Sequence, residues 1–167
     1  MYTGMTGKIV TMIVFCLAFH ASSVFAFPIS IDITATVRYV TDSSNVLDGA
    51  ITAGDLITGT YTYGSTTVDS QPLVDTVGDY WHDTSPYGIS LHVGGFVFQT
   101  DPDNVDFLVE MVHDHYTGSD HYLLRSYNNL PLSDELLVDH ISWQLDDPTQ
   151  TALSSDALPT VPPVLED

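Results

Sequence analysis

An alternation of apolar and polar residues over positions 29–39 constrains the fold more than any other feature of this sequence. Its apolar members are Ile29, Ile31, Ile33, Ala35, Val37 and Tyr39. A period of two residues is typical of a long β-strand with one buried face, because successive side chains point to opposite sides of a sheet. Beyond residue 26, no stretch shows the 3.6-residue period of an amphipathic helix.

The remaining sequence after residue 26 consists of short strand-like runs separated by Gly, Pro, Asn and Asp. The further predicted strands are 56–63, 88–93, 96–100, 105–115, 120–127 and 138–145. Gly94-Gly95, between two of these runs, suits a two-residue hairpin. About seven short strands with frequent turns predict an all-β fold, either an antiparallel β-sandwich or a jelly roll.

We expect a single β-sandwich domain over residues 27–147, preceded by a signal peptide (1–26) and followed by a Pro/Ser/Asp-rich C-terminal tail (148–167). Within the domain, residues 64–87 lack a strand pattern, and loops of that length are uncommon unless they are functional or disordered. In the tail, Pro159, Pro162 and Pro163 favour an extended end with little strand pairing.

The first 26 residues have the pattern of a secretory leader. Lys8 is their only charge, an almost wholly apolar run follows at 9–19, and Val24-Phe25-Ala26 supplies a cleavage site. A membrane anchor is the rival interpretation, but a span needs about 20 apolar residues. We therefore expect an exported protein, periplasmic, cell-surface or extracellular, with no membrane span after cleavage.

The charge of the chain narrows the partners that it can have. Its formal net charge is −19, and removal of the leader takes away Lys8 but no acidic residue, leaving −20. Such a body repels nucleic acids and anionic lipid surfaces. The one cysteine, Cys16, lies in the leader, so no disulfide is expected in the domain. The oligomeric state stays open.

Histidines near a predicted hairpin are weak candidates for a metal site. A four-residue loop at 116–119 would place His115 opposite Asp120, and Glu110 opposite Arg125 as a cross-strand ion pair. His113, His115 and Asp120 would then share one face, while His121 would point to the other. A three-histidine zinc site is disfavoured, and a site with two histidines and one aspartate is geometrically allowed. Solvated polar residues at a hairpin end are the commoner interpretation.

Asp101, Asp103 and Asp106 form the best candidate calcium site, because closely spaced carboxylates in a turn supply the oxygen ligands that Ca²⁺ prefers. The pattern departs from an EF-hand loop, since Val105 stands where a ligand is needed. An ordinary Asp/Pro/Asn turn between two strands explains the same residues.

Tyr80, Trp81 and Tyr87 are the candidate ligand-binding residues. Aromatic side chains on a sandwich loop can stack on sugar rings, which predicts a carbohydrate platform. In the alternative interpretation, Trp81 folds back as a plug over one end of the sandwich.

Catalysis has little support in the sequence. There is no G-x-S-x-G motif, no cysteine after the leader and no glycine-rich phosphate loop. Abundant carboxylates keep an acid/base pair for polysaccharide hydrolysis as an alternative.

Several stretches together resemble the mature domain of bacterial exported proteins that carry PEP-CTERM sorting tails. These stretches are 59–63, 76–82, 93–96, 98–102, 122–129, 140–147 and 152–155. The resemblance implies export to the cell envelope or beyond, often linked to extracellular polysaccharide, and it implies no catalytic residue. The family's Pro-Glu-Pro motif, apolar helix and basic end do not occur in residues 160–167. Two alternative expectations follow. Either the protein is released without sorting, or the chain is shortened by a frameshift or a gene-model error.

From these observations we expect a non-enzymatic module of the cell envelope or extracellular matrix that associates with carbohydrate. A polysaccharide hydrolase and a calcium-stabilised structural domain are the alternatives.

Overall fold

Eight β-strands and no helix make up the regular structure of residues 27–114, 118–134 and 136–161, which the computed structural model describes. The predicted leader (1–26), His115 and the last six residues lie outside this part of the chain. The strands are β1 (Pro28–Thr36), β2 (Leu56–Gly64), β3 (Val77–His82), β4 (Gly88–Val93), β5 (Phe96–Gln99), β6 (Phe107–Val112), β7 (Asp120–Ser126) and β8 (Ile141–Asp147). None of the described segments is a helix that could cross a bilayer.

The strands form two antiparallel four-stranded sheets. Sheet A has the order β1-β2-β4-β5, and sheet B has the order β3-β6-β7-β8. The two sheets constitute a single β-sandwich domain, which confirms the predicted fold class. Its core comes from the inner faces of both sheets, for example Ile33, Tyr63 and Ile89 from sheet A and Phe107 and Leu124 from sheet B.

Sheet A follows the sequence pattern closely. In β1 the isoleucines 29, 31 and 33 point inward, and β1 pairs with β2 along its whole length, from Pro28–Gly64 to Thr36–Leu56. The β4–β5 hairpin turns at Gly94 and Gly95, whose φ angles are +58° and +85°. Two consecutive positive φ angles define the tight turn that matches strand twist, so the glycines are required there.

The strand β3 corrects one prediction, because it lies in the stretch 64–87 where no strand was expected. Its inner positions are Gly78, Tyr80 and His82, all buried, and it pairs with β6 from Val77–Val112 to His82–Phe107. A glycine and a histidine at inner positions hide the apolar alternation that would have indicated a strand.

The β6–β7 register corrects a second prediction. Glu110 lies opposite Leu123, not Arg125, because seven residues, 113–119, separate the two strands instead of four. The ion pair exists all the same, as a diagonal contact of 3.2 Å between Arg125 Nη1 and Glu110 Oε2.

Residues after β8 pack back onto the sandwich. Leu158 is buried in the core, Leu153 packs against it, and the Tyr80 hydroxyl donates a 3.0 Å hydrogen bond to the carbonyl of Asp156. Asp147 organises the turn into this segment by accepting backbone N–H groups from residues 149, 151 and 152. These bonds and the Thr149 hydroxyl, which has the largest effect, lower the pKa of Asp147.

Candidate functional site

The predicted aromatic set does not form one platform. Tyr80 and Trp81 are neighbours on β3 and therefore point to opposite faces of sheet B. Tyr80 is 6% exposed and faces inward, whereas Trp81 is 44% exposed and faces outward. Tyr87 follows β3 and packs edge-on against the buried His82 ring, with 4.8 Å between the ring centroids.

Trp81 has a different partner, Tyr127, which the sequence analysis did not include. Their ring centroids are 5.8 Å apart and the ring planes differ by 26°. Tyr127 is 39% exposed, so both rings reach solvent. We call Trp81 and Tyr127 the aromatic patch. Its exposure argues against Trp81 as a plug over the end of the sandwich.

The sheet register explains why these two rings meet. Trp81 lies opposite Leu108 of β6, and the backbone N–H of Tyr127 donates a 2.9 Å hydrogen bond to the carbonyl of Asp106, two residues before Leu108. The two aromatic residues thus flank β6 from its two neighbouring strands. The sequence carries one partial signal, because Tyr127 follows Arg125 by two residues and the two therefore share a face. The contact of Tyr127 with Trp81 depends on the order of the strands.

Arg125 and Glu110 share the outer face of sheet B with the aromatic patch. Arg125 lies opposite Leu108 on the side away from Trp81 and holds Glu110 in the 3.2 Å ion pair. Leu108 between them is only 3% exposed. The surface therefore offers exposed ring area next to guanidinium and carboxylate groups, a combination that can bind a ligand with both apolar faces and hydroxyl groups.

Tyr87 lines a separate shallow cavity of about 160 Å³ on the outer face of sheet A. Hydroxyl groups of Thr60, Thr62 and Ser90 and the amide of Gln99 also line it. Ligand pockets for drug-sized molecules are about 300–1,000 Å³. This cavity has room for a small group only.

His82 has a structural role beneath Tyr87. Its side chain is 4% exposed, and its Nε2 atom accepts a 2.9 Å hydrogen bond from the backbone N–H of Gly64. Thr67 Oγ1 lies 3.0 Å from the same nitrogen. Burial lowers the pKa of His82, so the imidazole stays neutral near pH 7. A buried nitrogen that already accepts a backbone hydrogen bond is not placed to take a proton from a substrate.

The predicted calcium ligands occupy a well-formed turn. Asp101 Oδ1 accepts a 2.9 Å hydrogen bond from the backbone N–H of Asp103, and Asn104 N donates to the Asp101 carbonyl at 3.2 Å. Val105 is buried, with 7% exposure. Across the ranges that the structure describes, Asp101, Asp103 and Asp106 do not bring three ligand atoms within 4.8 Å of one another. The turn has a direct structural explanation, and calcium binding there stays a prediction.

Three other ligand atoms do lie within 4.8 Å of one another, from His113, Asp114 and Asp120. His113 and Asp120 share a face as predicted, while Asp114 takes the place foreseen for His115. Asp120 is 1% exposed, and its Oδ1 accepts a 3.0 Å hydrogen bond from Asp114 N. Its Oδ2 accepts one of 2.9 Å from Leu153 N in the C-terminal segment.

The paired carboxyl groups at the end of β8 do not resemble a hydrolytic pair. Asp146 Oδ1 lies 2.7 Å from Gln144 Nε2 and 2.6 Å from His121 Nδ1. These contacts lower the pKa of Asp146, with the largest effect from Gln144. The pKa of Asp147 is lowered as well. A general acid of a glycosidase needs a raised pKa, which is the opposite shift.

Comparison with protein-family models, curated proteins and solved structures found no match to the chain.

Proposed function

We propose that this protein is an exported, non-enzymatic β-sandwich that binds extracellular polysaccharide through the aromatic patch. The observation that carries the proposal is the exposure of Trp81 and Tyr127, 44% and 39%, as a near-parallel pair on an outer sheet face. Large exposed aromatic side chains lose ring hydration when they are covered, so a protein gains from an apolar partner there.

The chemistry of the patch favours a sugar ring as that partner. A pyranose has an apolar C–H face that stacks on an aromatic ring, and hydroxyl groups at its edge that need hydrogen-bond partners. Arg125 and Glu110, joined by their 3.2 Å contact beside Leu108, supply donors and acceptors on the same sheet face. A stacked sugar ring covers apolar ring area of Trp81 and Tyr127, which favours binding.

The negative charge of the protein restricts which polysaccharides it can bind. Without the predicted leader the net charge is −20 and the two arginines are Arg38 and Arg125, so the domain repels acidic glycans. We therefore propose uncharged polysaccharide as the ligand class. A site built on two rings binds one chain segment weakly, and repeated units along a polymer raise the apparent affinity.

The proposal is tested by affinity electrophoresis of the purified protein in gels that contain neutral glucans or mannans, with an acidic polysaccharide for comparison. We expect retardation in at least one neutral gel, and at least tenfold weaker binding for Trp81→Ala and Tyr127→Ala. Tyr39→Ala is the matched control, because Tyr39 is 78% exposed and lies after β1, outside the patch. Folding of each variant is checked by its thermal melt.

Equal binding of wild type and both patch variants, all folded, would refute the role of the patch. The two alternatives are tested on the same protein. Release of reducing ends from the bound glucan would favour a hydrolase, and a higher melting temperature in millimolar Ca²⁺ than in chelator would favour a calcium-stabilised domain.

Export is also a proposal, supported by the leader pattern and by the resemblance of residues 59–155 to exported proteins of the PEP-CTERM type. Mass spectrometry of the protein recovered from the periplasm or medium is expected to find an N-terminus at Phe27. Full-length product retained in the cytosol would contradict it.

A further inference from the structure

Asp120 is a buried carboxylate that has no arginine partner among the described residues. Its side chain is 1% exposed, and neither arginine contacts it: Arg125 pairs with Glu110, and Arg38 lies beyond β1 in the other sheet. Two backbone N–H groups bind its oxygens, at 3.0 Å and 2.9 Å. A carboxylate removed from water is costly unless a counter-charge or a metal ion lies next to it.

The neighbouring imidazole adds an independent observation. The Nδ1 atom of His113 is shielded from solvent, has no hydrogen-bond partner among the described residues and lies 3.5 Å from Asp120 Oδ1. On the other side of the ring, Nε2 lies 3.3 Å from Asp114 Oδ2. Buried ring nitrogens without a partner are uncommon, because the group loses its hydrogen bonds to water and gains none in the protein. A ligand that accepts the lone pair of Nδ1 would remove this cost.

We propose that His113, Asp114 and Asp120 bind a divalent transition-metal ion of the Zn²⁺ class at the turn between β6 and β7. Two ligands on a tetrahedral ion with bonds of about 2.1 Å lie about 3.4 Å apart. The spacing of 3.5 Å between His113 Nδ1 and Asp120 Oδ1 matches this geometry. Asp114, whose side chain is 57% exposed, can complete the set by a side-chain rotation.

The types of ligand atom determine which metal ions fit this site. One imidazole nitrogen and two carboxylates suit Zn²⁺ and its neighbours, whereas Ca²⁺ prefers oxygen ligands alone. Three protein ligands leave at least one coordination position of a tetrahedral ion for water, and the Asp114 side chain is at the surface. The acidic surface, with 22 Asp and Glu residues in the chain, raises the local concentration of divalent cations.

The ion would connect three parts of the fold. Asp114 belongs to the turn and has a positive φ of 48°, Asp120 begins β7, and Asp120 Oδ2 holds Leu153 of the C-terminal segment. Metal binding is therefore expected to stabilise both the hairpin and the packing of the segment after β8. A protonated His113 could instead compensate the carboxylates without a metal, and the experiment separates the two.

The experiment uses the purified protein after treatment with chelator and dialysis. Isothermal titration calorimetry with Zn²⁺ is expected to give one site per chain, and Zn²⁺ to raise the melting temperature more than equimolar Ca²⁺. His113→Gln and Asp114→Asn are expected to weaken Zn²⁺ binding at least tenfold. His92→Gln and Asp139→Asn are the matched controls, because both residues are exposed and lie outside the group. Asp114→Asn retains the buried Asp120, so its fold is expected to survive.

Nuclear magnetic resonance supplies a second readout, in which Zn²⁺ shifts the ring signals of His113 and leaves those of His92 in place. No saturable Zn²⁺ binding, or binding that His113→Gln and Asp114→Asn leave unchanged, would overturn the proposal. The first of these outcomes would assign charge compensation to the histidine alone. Neither outcome depends on polysaccharide binding, so this test is independent of the aromatic patch.

Discussion

Replacement of Tyr63 by phenylalanine tests whether the buried hydroxyl group of Tyr63 lowers the stability of the domain. The Tyr63 side chain is 0% exposed, and its hydroxyl group has no hydrogen-bond partner in the part of the chain that the structure describes. Its ring stacks on that of Tyr61, with 6.1 Å between centroids and 17° between planes. Burial is the main reason that the pKa of Tyr63 is raised to about 12.

The magnitude follows from the cost of burying an unpaired hydroxyl group, about 1–3 kcal/mol. Phenylalanine retains the ring and its stacking, but it leaves a small void that costs part of this gain. We expect Tyr63→Phe to stabilise the domain by about 1 kcal/mol. Tyr80→Phe should act in the opposite direction, because it removes the hydrogen bond to the Asp156 carbonyl, worth about 0.5–1.5 kcal/mol.

The two variants should therefore differ by about 2 kcal/mol, or about 6–10 °C in melting temperature for a domain of this size. Urea denaturation and thermal melts at pH 7 measure both quantities. Tyr39→Phe is the control, since Tyr39 is 78% exposed and its hydroxyl can bond to water. Destabilisation of more than 1 kcal/mol by Tyr63→Phe would refute the reasoning, because it would mean that the hydroxyl has a partner in the core.

Two further predictions concern charged and titratable groups. Burial lowers the pKa of His82 below the value of about 6.5 that a histidine has in an unfolded chain. The unfolded state therefore binds more protons than the folded state as the pH falls below that value. We expect the free energy of unfolding to decrease over this pH range. Denaturation at pH 7 and pH 5 with an NMR titration of the His82 ring checks this, and a midpoint at or above 6.5 would contradict it. For Glu110 and Arg125, which are 18% and 34% exposed, a double-mutant cycle should give a coupling of less than about 1 kcal/mol, and a larger value would show that the pair is more strongly desolvated.

Local sequence rules were sufficient to predict strand pairing where the turn between two strands allows only one register. The β4–β5 hairpin has two glycines between its strands, and both its first strand, Gly88–Val93, and its turn were predicted correctly. A two-residue loop leaves no freedom in pairing, so the local pattern determines which residues face each other.

The β6–β7 hairpin shows what the sequence leaves undetermined. Its connection is longer than the predicted four residues, and the observed register differs from the predicted register by two residues. Because a shift of two keeps every side chain on its face, His113 and Asp120 still share a face and Arg125 still reaches Glu110. The shared face of His113 and Asp120 was thus predicted correctly, while the prediction of which residues lie opposite each other was wrong.

The placement of the aromatic residues relative to one another could not be predicted without knowledge of tertiary structure. Tyr80 and Trp81 are adjacent in sequence, and they separate only because residues 77–82 form a strand that the sequence pattern concealed. Tyr127 comes beside Trp81 through the pairing of β3 and β7 with opposite edges of β6, a contact between residues 46 positions apart. Such long-range pairing depends on sheet order, which a single sequence does not determine.

The distribution of charge provides a way to distinguish stacking from ionic adsorption at the aromatic patch. Only Arg38 and Arg125 are basic among the described residues other than histidine, and Arg125 is already paired with Glu110. Binding that depends on stacking and hydrogen bonds should therefore change little between low and high salt, because its free energy contains no large Coulomb contribution. Adsorption through the acidic surface or bridging cations would weaken strongly as salt is added. Salt-sensitive retention of both wild type and Trp81→Ala would consequently argue that the patch is not the binding site.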